Sequence, residues 1–527
     1  MTSTTSLVEL LLLLLIAASV VALVTSRLRV PYTAALVFAG VGMNLVRGPI
    51  TSVLATVGMA PGQFDILTPE VVFSLFLPGL LFEASLHLNL RDLRENVWPI
   101  VVLAIAGVVV ATLTTGYAVT LLLGLPIASA LVFGALISAT DPISVVALFR
   151  ELGIHRRLTL IVESESLFND GTAIVLFQIL LAVALGGHPG VQQGLARFAG
   201  VVAGGLALGA AAGYAGSLLT SRVDEPRVEI TLTTIIAYGS YLAAEHLHVS
   251  GVIATVAAGL VVGNLGVPTG MSSRTRVALF GFWEYLAFVI NSLLFLLIGL
   301  AVHLSDLLGA AGPIGLATAA VLLGRLLTVY SLTPVSNRFS TRIPLSWQHV
   351  LFWGGLHGSV SVALALGLPA GLPGRALILN LTFGVVAFSV IVQGATMQPL
   401  VNWLGLRPRR VEEYDRLKAE QLAVAGAKVE LQRLRDRHLI TIAVQDELRA
   451  ELDTRIRAVE DAVALSQHEN PAVADEERRI ARLRLALAER SVLERAVDEG
   501  ILPDQAARPA LKTATERIDA ERKDLAD

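Results

Sequence analysis

Long apolar stretches, separated by short polar connections, make up most of the chain up to about residue 405. A helix needs roughly 17–25 mainly apolar residues to cross the hydrocarbon core of a bilayer. Thirteen stretches meet or approach that length, and they cover residues 6–25, 31–47, 69–88, 97–122, 126–149, 157–185, 195–220, 228–247, 250–265, 277–303, 309–335, 346–369 and 376–404. The pattern predicts an all-α membrane domain over 1–405 with about thirteen transmembrane helices.

The first apolar stretch resembles the core of a secretory signal peptide. No basic residue precedes it, however, and Arg27 and Arg29 follow where a cleavage site would need small residues. We therefore expect a retained first helix. Cleavage of a signal is the alternative, and it would remove one helix from the topology.

After Arg410 the pattern changes to charged residues with apolar positions at helical spacing. Residues 411–527 hold 20 basic and 26 acidic residues, a net charge of −6 against −3 for the whole chain. We expect amphipathic helices in a cytoplasmic domain over 406–527, with breaks at Asn470-Pro471 and between Gly500 and Pro503. This tail is either a packing or dimerising appendage or a domain that binds an unknown regulator. The absence of a ligand motif favours the first interpretation.

The arginines alternate between the connections in a way that fixes a topology. With the N-terminus outside, the outer connections carry Arg47, Arg197 and Arg375. The inner connections then carry sixteen: Arg27, Arg29, Arg91, Arg94, Arg150, Arg156, Arg157, Arg222, Arg227, Arg274, Arg276, Arg338, Arg342, Arg407, Arg409 and Arg410. Because cytoplasmic loops are enriched in basic residues, this bias predicts a multi-pass cell-membrane protein with a cytoplasmic tail.

Composition supports a membrane location. Apolar residues make up 54% of the 527 residues and charged residues only 16%, where soluble proteins have about 25%. The mean hydropathy is +0.68. The chain has no cysteine, which excludes disulfides and thiolate metal sites. We expect lipid contacts, no cofactor and no nucleic-acid partner.

Ionisable residues inside the apolar stretches are the candidates for function, because a charge at the bilayer centre costs about 2.5–3.5 kcal/mol on insertion scales. Seven charged residues, six of them acidic, lie inside the stretches together with one histidine: Glu83, Asp141, Glu163, Glu165, Asp170, Glu284, Arg325 and His357.

The densest group lies in the sixth stretch, between Glu163 and Gly171. On a helix, Glu165 and Asn169 are four residues apart, as are Ser166 and Asp170, so the four share one face. They offer hard oxygen ligands, which suit an alkali cation better than a soft metal. The stretch therefore indicates a site for a monovalent cation.

Two stretches contain signals for a helix break. Pro142 follows Asp141 and disfavours helix near Thr140, which frees carbonyl groups beside an acid. The glycine-rich segment from Trp353 to Ser359 is the candidate break in the second half of the chain. Discontinuous helices of this kind form ion sites in secondary transporters, although a simple kink is the alternative at Pro142.

Two more charges need a partner or a purpose. Glu83 is either a third carboxylate of the cation site or a structural acid near the cytoplasmic end. Arg325 is the one arginine deep in an apolar stretch, and a buried cation needs an anion. We expect it to pair with Glu165, which leaves Asp170 unpaired.

Several motifs occur together in one order. They are Leu28-Arg29-Val30-Pro31-Tyr32, Leu80-Leu81-Phe82-Glu83, Thr140-Asp141-Pro142, Glu165-Ser166-Leu167-Phe168-Asn169-Asp170, Asn291 to Gly299, Arg325 and Trp353-Gly354-Gly355-Leu356. Because it carries this ordered set of motifs, the chain resembles the NhaP-type sodium/proton antiporters and the related eukaryotic sodium/hydrogen exchangers.

The resemblance implies an NhaA-like antiporter fold. Two inverted repeats would form a core bundle and a dimerisation bundle, with two crossed broken helices and a homodimer. Asp170 would exchange Na+ for H+, and the Na+ ligands would be Asp170, Asp141, Thr140, Ser166 and Glu83. Asn169 would orient or gate the site, and Glu165 and Arg325 would form a structural ion pair.

The same resemblance implies the stoichiometry. An Asn–Asp pair, here Asn169 and Asp170, goes with electroneutral one-for-one exchange, whereas electrogenic relatives carry two aspartates. His357 stands where the family usually has arginine, so both it and the extra acid Glu163 are possible modulators.

The sequence thus predicts a secondary active antiporter that exchanges Na+, with Li+ as a further substrate, for H+. A carboxylate that holds either a proton or a dehydrated cation couples the two fluxes. A K+/H+ antiporter of the same fold is the alternative. An intramembrane aspartyl protease using Asp141 and Asp170, a cation channel and a non-transporting sensor are more remote.

Overall fold

Every regular element of the described chain is a helix, as the hydrophobic pattern predicts. The computed structural model describes residues 4–28, 32–45, 72–187, 191–223, 225–301, 304–406, 412–469, 471–498 and 501–524. The chain divides into two compact units, Met1–Pro408 and Arg409–Asp527. Several residues used above lie outside the described residues: Arg29, Val30, Pro31, Arg47, Arg407, Arg409, Arg410, Asn470 and Gly500.

The described residues in the first half of unit one form eight helices. They are α1 (Thr4–Leu28), α2 (Tyr32–Leu45), α3 (Leu77–His87, preceded by a π-helical turn at Val72–Phe76), α4 (Leu90–Glu95), α5 (Val97–Leu123), α6 (Ile127–Ser138), α7 (Ile143–Leu152) and α8 (Arg156–Ala184).

Nine helices follow in the part of the second half of unit one that the structure describes. They are α9 (Val191–Thr220), α10 (Pro226–His246), α11 (Gly251–Val261, continued by turns at Val262–Gly266 and Val267–Gly270), α12 (Ser273–Ala301), α13 (Leu304–Gly309), α14 (Ala311–Ser336), α15 (Leu345–Trp353), α16 (Ser359–Leu366) and α17 (Arg375–Trp403).

Helix occupies the described part of all thirteen predicted ranges, and two ranges are interrupted at the expected breaks. Within the described residues, six helices are long and apolar enough to cross a membrane: Val97–Leu123, Arg156–Ala184, Ala196–Thr220, Arg274–Leu300, Ala311–Ser336 and Arg375–Trp403. Five shorter apolar helices accompany them. The chain is therefore a multi-pass membrane protein, while thirteen crossings stay a prediction.

The helices of unit one pack into two bundles. The first contains α1–α3 and α9–α12, and the second contains α5–α8 and α14–α17. Small residues allow close approach in the first bundle, as membrane helices commonly require. Gly40 of α2 faces Gly299 of α12, and Gly209 of α9 faces Ala254 of α11. None of the three glycines has room for a Cβ.

The second bundle uses the same device. Gly134 of α6 lies against the backbone of Thr112 in α5, so a side chain at 134 would collide with main-chain atoms. Gly324 of α14 similarly approaches Ala111 and Thr115 of α5. These contacts hold α6 against α5, and α6 ends at the break that carries Asp141.

Where it is described, unit two forms four helices: α18 (Glu412–Asp436), α19 (Ile442–Glu469), α20 (Pro471–Asp498) and α21 (Asp504–Asp524). They pair as α18 with α19 and α20 with α21. Leu417, Val459 and Val463 form a small apolar core, and Lys418 forms an ion pair with Glu477 at 2.7 Å. The helical content fits the expectation for the tail, while its role and any regulator stay predictions.

Candidate functional site

The first break separates α6 from α7 at residues 139–142. Pro142 cannot donate a main-chain hydrogen bond, and Thr140 and Asp141 leave the helical path there. The Asp141 carboxylate compensates at the start of α7, where its Oδ1 accepts a 3.0 Å hydrogen bond from the Ile143 amide. One oxygen of Asp141 therefore holds the helix end, and the other is left for a different partner.

The second break, residues 354–358 between α15 and α16, lies directly against the first. The Asp141 amide donates to the Leu356 carbonyl at 2.7 Å, and His357 Nδ1 donates to the Ala139 carbonyl at 3.1 Å. A Cβ built on Gly358 would lie 2.6 Å from the Asp141 Cβ. Glycine at 358 is thus required for the two interrupted helices to meet.

Helix α8 presents a polar row to the first break. Asn169 Nδ2 donates to Thr140 Oγ1 at 2.6 Å, and Asn169 Oδ1 accepts from the Thr140 amide at 3.4 Å. Thr140 Oγ1 also lies 2.9 Å from Ser166 Oγ. Because all three side chains are buried, these bonds fix the position of Thr140 relative to α8.

Asp170 and Asp141 line a common cavity of about 320 Å³, which we call the ion-site cavity. Thr140, Glu83 and Glu163 also line it. Asp170 is only 8% exposed. Among the described residues, Asp170 Oδ1 and Asp141 Oδ2 make no hydrogen bond. A buried carboxylate oxygen normally has a partner, so the cavity contains two acceptors suited to a cation or a proton.

Glu165 does not face this cavity with Asp170, although the helical spacing places both on one face. Arg325 of α14 donates to both of its oxygens, at 2.6 and 2.9 Å. Arg325 also donates to the Leu351 carbonyl at the end of α15. The pair lies beside a separate cavity of about 20 Å³, large enough for one water molecule.

Two further ionisable groups, His87 and Arg150, contact acidic residues that line the ion-site cavity. His87 Nδ1 is 3.4 Å from Glu83 Oε1, and His87 Nε2 is 3.8 Å from Glu284 Oε1. Arg150 of α7 pairs with Glu163 of α8 at 3.3 Å. Glu83 therefore lines the same cavity as Asp170 while its carboxylate contacts a histidine.

His357 is buried, and its contacts are structural. In addition to the bond to Ala139, its main-chain amide donates to Ser389 Oγ at 2.7 Å. The residue thus joins the second break to the first and to α17. It lines the small cavity beside Arg325 rather than the ion-site cavity.

The structure gathers the predicted site residues around the two breaks and divides all of them except Ser166 between two cavities. Asp170, Asp141, Thr140, Glu83 and Glu163 line the ion-site cavity, whereas Glu165, Asn169, Arg325 and His357 line the small one, which Thr140 also touches. Sequence reasoning missed His87, Arg150, the Leu356 carbonyl and Ser389. The spacing of Glu83 and His87, four residues apart, was the one signal available for them.

Known proteins match most of this chain. The family described as "Sodium/hydrogen exchanger, transmembrane" matches residues 12–403. The Na+/H+ antiporter ApNhaP of Aphanothece halophytica is 43% identical over 385 residues, covering 71% of this chain and 74% of that protein. NhaS2 of Synechocystis sp. PCC 6803, also a Na+/H+ antiporter, is 34% identical over 523 residues, which is 98% of this chain and 94% of that protein.

A solved structure shows the same fold. The sodium proton antiporter MjNhaP1 from Methanocaldococcus jannaschii aligns with a TM-score of 0.63 and 20% sequence identity. The alignment covers 75% of this chain and 98% of MjNhaP1.

Proposed function

The chain belongs to the sodium/hydrogen exchanger family and is a secondary active Na+/H+ antiporter, and we propose that Asp170 carries the two ions in turn. One observation carries this assignment. Asp170 is a buried carboxylate residue that lines a cavity of about 320 Å³, and its Oδ1 makes no hydrogen bond among the described residues.

The exchange chemistry is competition for one carboxylate. A carboxylate must lose its proton before it binds a cation, so cation binding and proton release are linked. A charged, unloaded site is costly to move through apolar surroundings. The site therefore moves between the two membrane faces only when it holds a cation or a proton. This requirement couples movement of the cation in one direction to movement of the proton in the other.

The Na+ ligand set that we propose is Asp170, Asp141, Thr140, Ser166 and Glu83. Carboxylate, hydroxyl and carbonyl oxygens are hard ligands that suit Na+. Asp141 Oδ2 makes no hydrogen bond within the described chain, and the Thr140 hydroxyl is bonded to Asn169 and Ser166. Glu83 joins the set by turning away from His87, and Asn169 orients Thr140 without binding the ion.

The motion that we propose is a displacement of the second bundle, which carries the crossed breaks, against the first bundle. The finer fold is then two inverted repeats with about thirteen crossings, and the first bundle forms a homodimer interface. The N-terminus lies outside the cell membrane and the tail inside, because sixteen of the nineteen arginines in the connections and tail start then face the cytoplasm. The Asn169–Asp170 pair supports electroneutral one-for-one exchange.

Reconstitution tests the function. Purified protein in liposomes with a trapped pH dye and an imposed proton gradient is given Na+, Li+ or K+ in turn. We expect Na+ and Li+ to dissipate the gradient and K+ to do so far less. Equal activity with K+ would favour the K+/H+ alternative, and dissipation by none of the three would contradict antiport. Flux without proton coupling would indicate a channel.

A further inference from the structure

Another large cavity, distinct from the small one beside Arg325, lies beyond Asp170 along helix α8, and we call it the second cavity. It measures about 560 Å³ and is lined by Ile174 and Gln178 of α8, Arg197 of α9, Glu245 of α10 and Leu364 of α16. The walls come from both bundles. At 1.5 Å rise per residue, Ile174 is about 6 Å along the helix from Asp170.

The two cavities lie toward opposite ends of α8. Glu163, Leu167 and Asp170 line the ion-site cavity, and Ile174 and Gln178 line the second. Since α8 is long and apolar enough to cross the membrane, the cavities face opposite membrane surfaces. The side-chain contact that separates the two cavities next to Asp170 therefore closes one of the two routes by which an ion could reach Asp170.

Gly171 lies at that position and contacts Ile253 of α11. A Cβ built on Gly171 would lie 2.8 Å from Ile253 Cγ1. On its other side Ile253 meets α9, where a Cβ built on Gly205 would lie 3.3 Å from its Cβ. The Ile253 side chain is therefore held between two glycines, one in each bundle.

The position of Ile253 is fixed locally. It lies in the first turn of α11, where the Ser250 side chain accepts a hydrogen bond from the Ile253 amide at 3.3 Å. A β-branched side chain in a helix has essentially one favoured rotamer. Helix α11 packs on α9 over much of its length and on α8 over a far smaller area. Ile253 thus belongs to the first bundle and touches the second across a narrow contact.

We propose that the contact between Gly171 and Ile253 is the seal that separates Asp170 from the second cavity, and that it must part during each exchange cycle. This inference rests on the proposed function of Asp170. Glycine at 171 allows the seal to be tight without a clash, and the narrow contact area allows it to open. Gly171 is then a positioning residue that sets how often the second route is open.

Cysteine labelling tests the seal directly, because the natural chain has no cysteine. Leu167 and Ile174 are both buried, at 5% and 8% exposure, and lie on either side of Asp170 on one helix. In liposomes of known orientation we expect Leu167→Cys to react with a membrane-impermeant thiol reagent mainly from one face. Ile174→Cys should react mainly from the other.

The seal itself is then altered. Gly171→Ala in the Leu167→Cys background adds a methyl group that overpacks the closed seal. Labelling of the cysteine at position 167 from the membrane face on the side of the second cavity should therefore rise roughly tenfold. Adding Ile253→Ala makes room for that methyl group and should return the labelling ratio toward its original value. Gly200→Ala on α9 is the matched control, since a Cβ there meets nothing within 4 Å.

An unchanged ratio of labelling from the two faces in Gly171→Ala would overturn the proposal. If that variant does not fold, Ile253→Ala alone should also raise labelling from the second face, and no rise would count equally against the seal. Na+/H+ exchange is measured in the same liposomes. If exchange persists while the labelling results contradict the seal, the seal proposal fails and the proposed function of Asp170 stands.

Discussion

Arg325 and Glu165 form a two-point ion pair between helices α14 and α8, with N–O distances of 2.6 and 2.9 Å. The pair occupies the small cavity on one side of α8, while Asp170 faces the ion-site cavity on the other. The arginine charge is therefore committed to Glu165 and to the Leu351 carbonyl. Asp170 has no part in this ion pair, which is consistent with the ion-exchanging role that we propose for it.

Removing the arginine of this pair should destabilise the protein. Arg325→Met leaves the Glu165 charge buried without a partner, which typically costs about 3–5 kcal/mol. The double variant Arg325→Met with Glu165→Met should recover much of the loss, because an apolar pair needs no charge compensation. The apparent Tm in detergent measures both. Glu163→Gln is the control, since its partner Arg150 is largely exposed; an equal loss there would contradict a special role for the buried pair.

Asn169 should act through the position of Thr140. Asn169→Ala removes the 2.6 Å hydrogen bond to Thr140 Oγ1. One such bond is worth about 0.5–1.5 kcal/mol, so we expect the KM for Na+ to rise up to about tenfold while the protein stays folded. Thr140→Ser keeps the hydroxyl and should retain a near-normal KM. A normal KM in Asn169→Ala would show that Thr140 needs no such support.

The two oxygens of Asp141 predict a separation of roles. Asp141→Asn keeps an oxygen to accept from the Ile143 amide but loses the negative charge in the ion-site cavity. It should fold with nearly unchanged Tm and show a higher KM for Na+. Asp141→Ala loses both functions, and removing a helix cap typically costs about 1 kcal/mol more in stability. Equal Tm values for the two variants would contradict the capping role.

His155 should make the start of α8 sensitive to acid. Its Nδ1 accepts a 3.1 Å hydrogen bond from the Arg157 amide, and burial, with a smaller effect of the Arg157 charge, lowers the pKa of His155. Because the unfolded chain binds this proton more readily, stability should fall as pH drops below about 6.5 toward the lowered folded value.

An asparagine at the same position separates this effect from other titrations. His155→Asn can accept the same hydrogen bond but does not titrate. The Tm of the natural protein should fall more than that of the variant between pH 8 and pH 5. Parallel losses in both proteins would show that the acid sensitivity has another origin.

Local chemistry explains why much of the fold and site is predictable from the sequence. Pro142 marks the first break, Gly354, Gly355 and Gly358 mark the second, and the long apolar stretches mark the helices. The contact between Asp141 and Leu356 was not predictable, because it depends on how two distant segments meet.

The pairing of charges was only partly predictable for the same reason. Arg325 is a single deep cation with few possible partners, so Glu165 could be inferred. Glu163 and Glu83 both line the ion-site cavity. Arg150 approaches Glu163 from another helix, α7, whereas His87 lies four residues from Glu83 on the same helix, α3. The partner of Glu163 therefore depends on packing between helices, whereas that of Glu83 follows from spacing along one helix.

Asp170 is proposed to hold either a proton or Na+, and the pH dependence of the KM for Na+ tests this competition most directly. In liposomes, the KM should rise by up to about tenfold for each pH unit below the titration of the site while the maximal rate at saturating Na+ stays constant. Asp170→Asn should show no exchange, and Glu163→Gln should keep the pH dependence. A KM that does not change with pH, or exchange that persists in Asp170→Asn, would contradict the central claim.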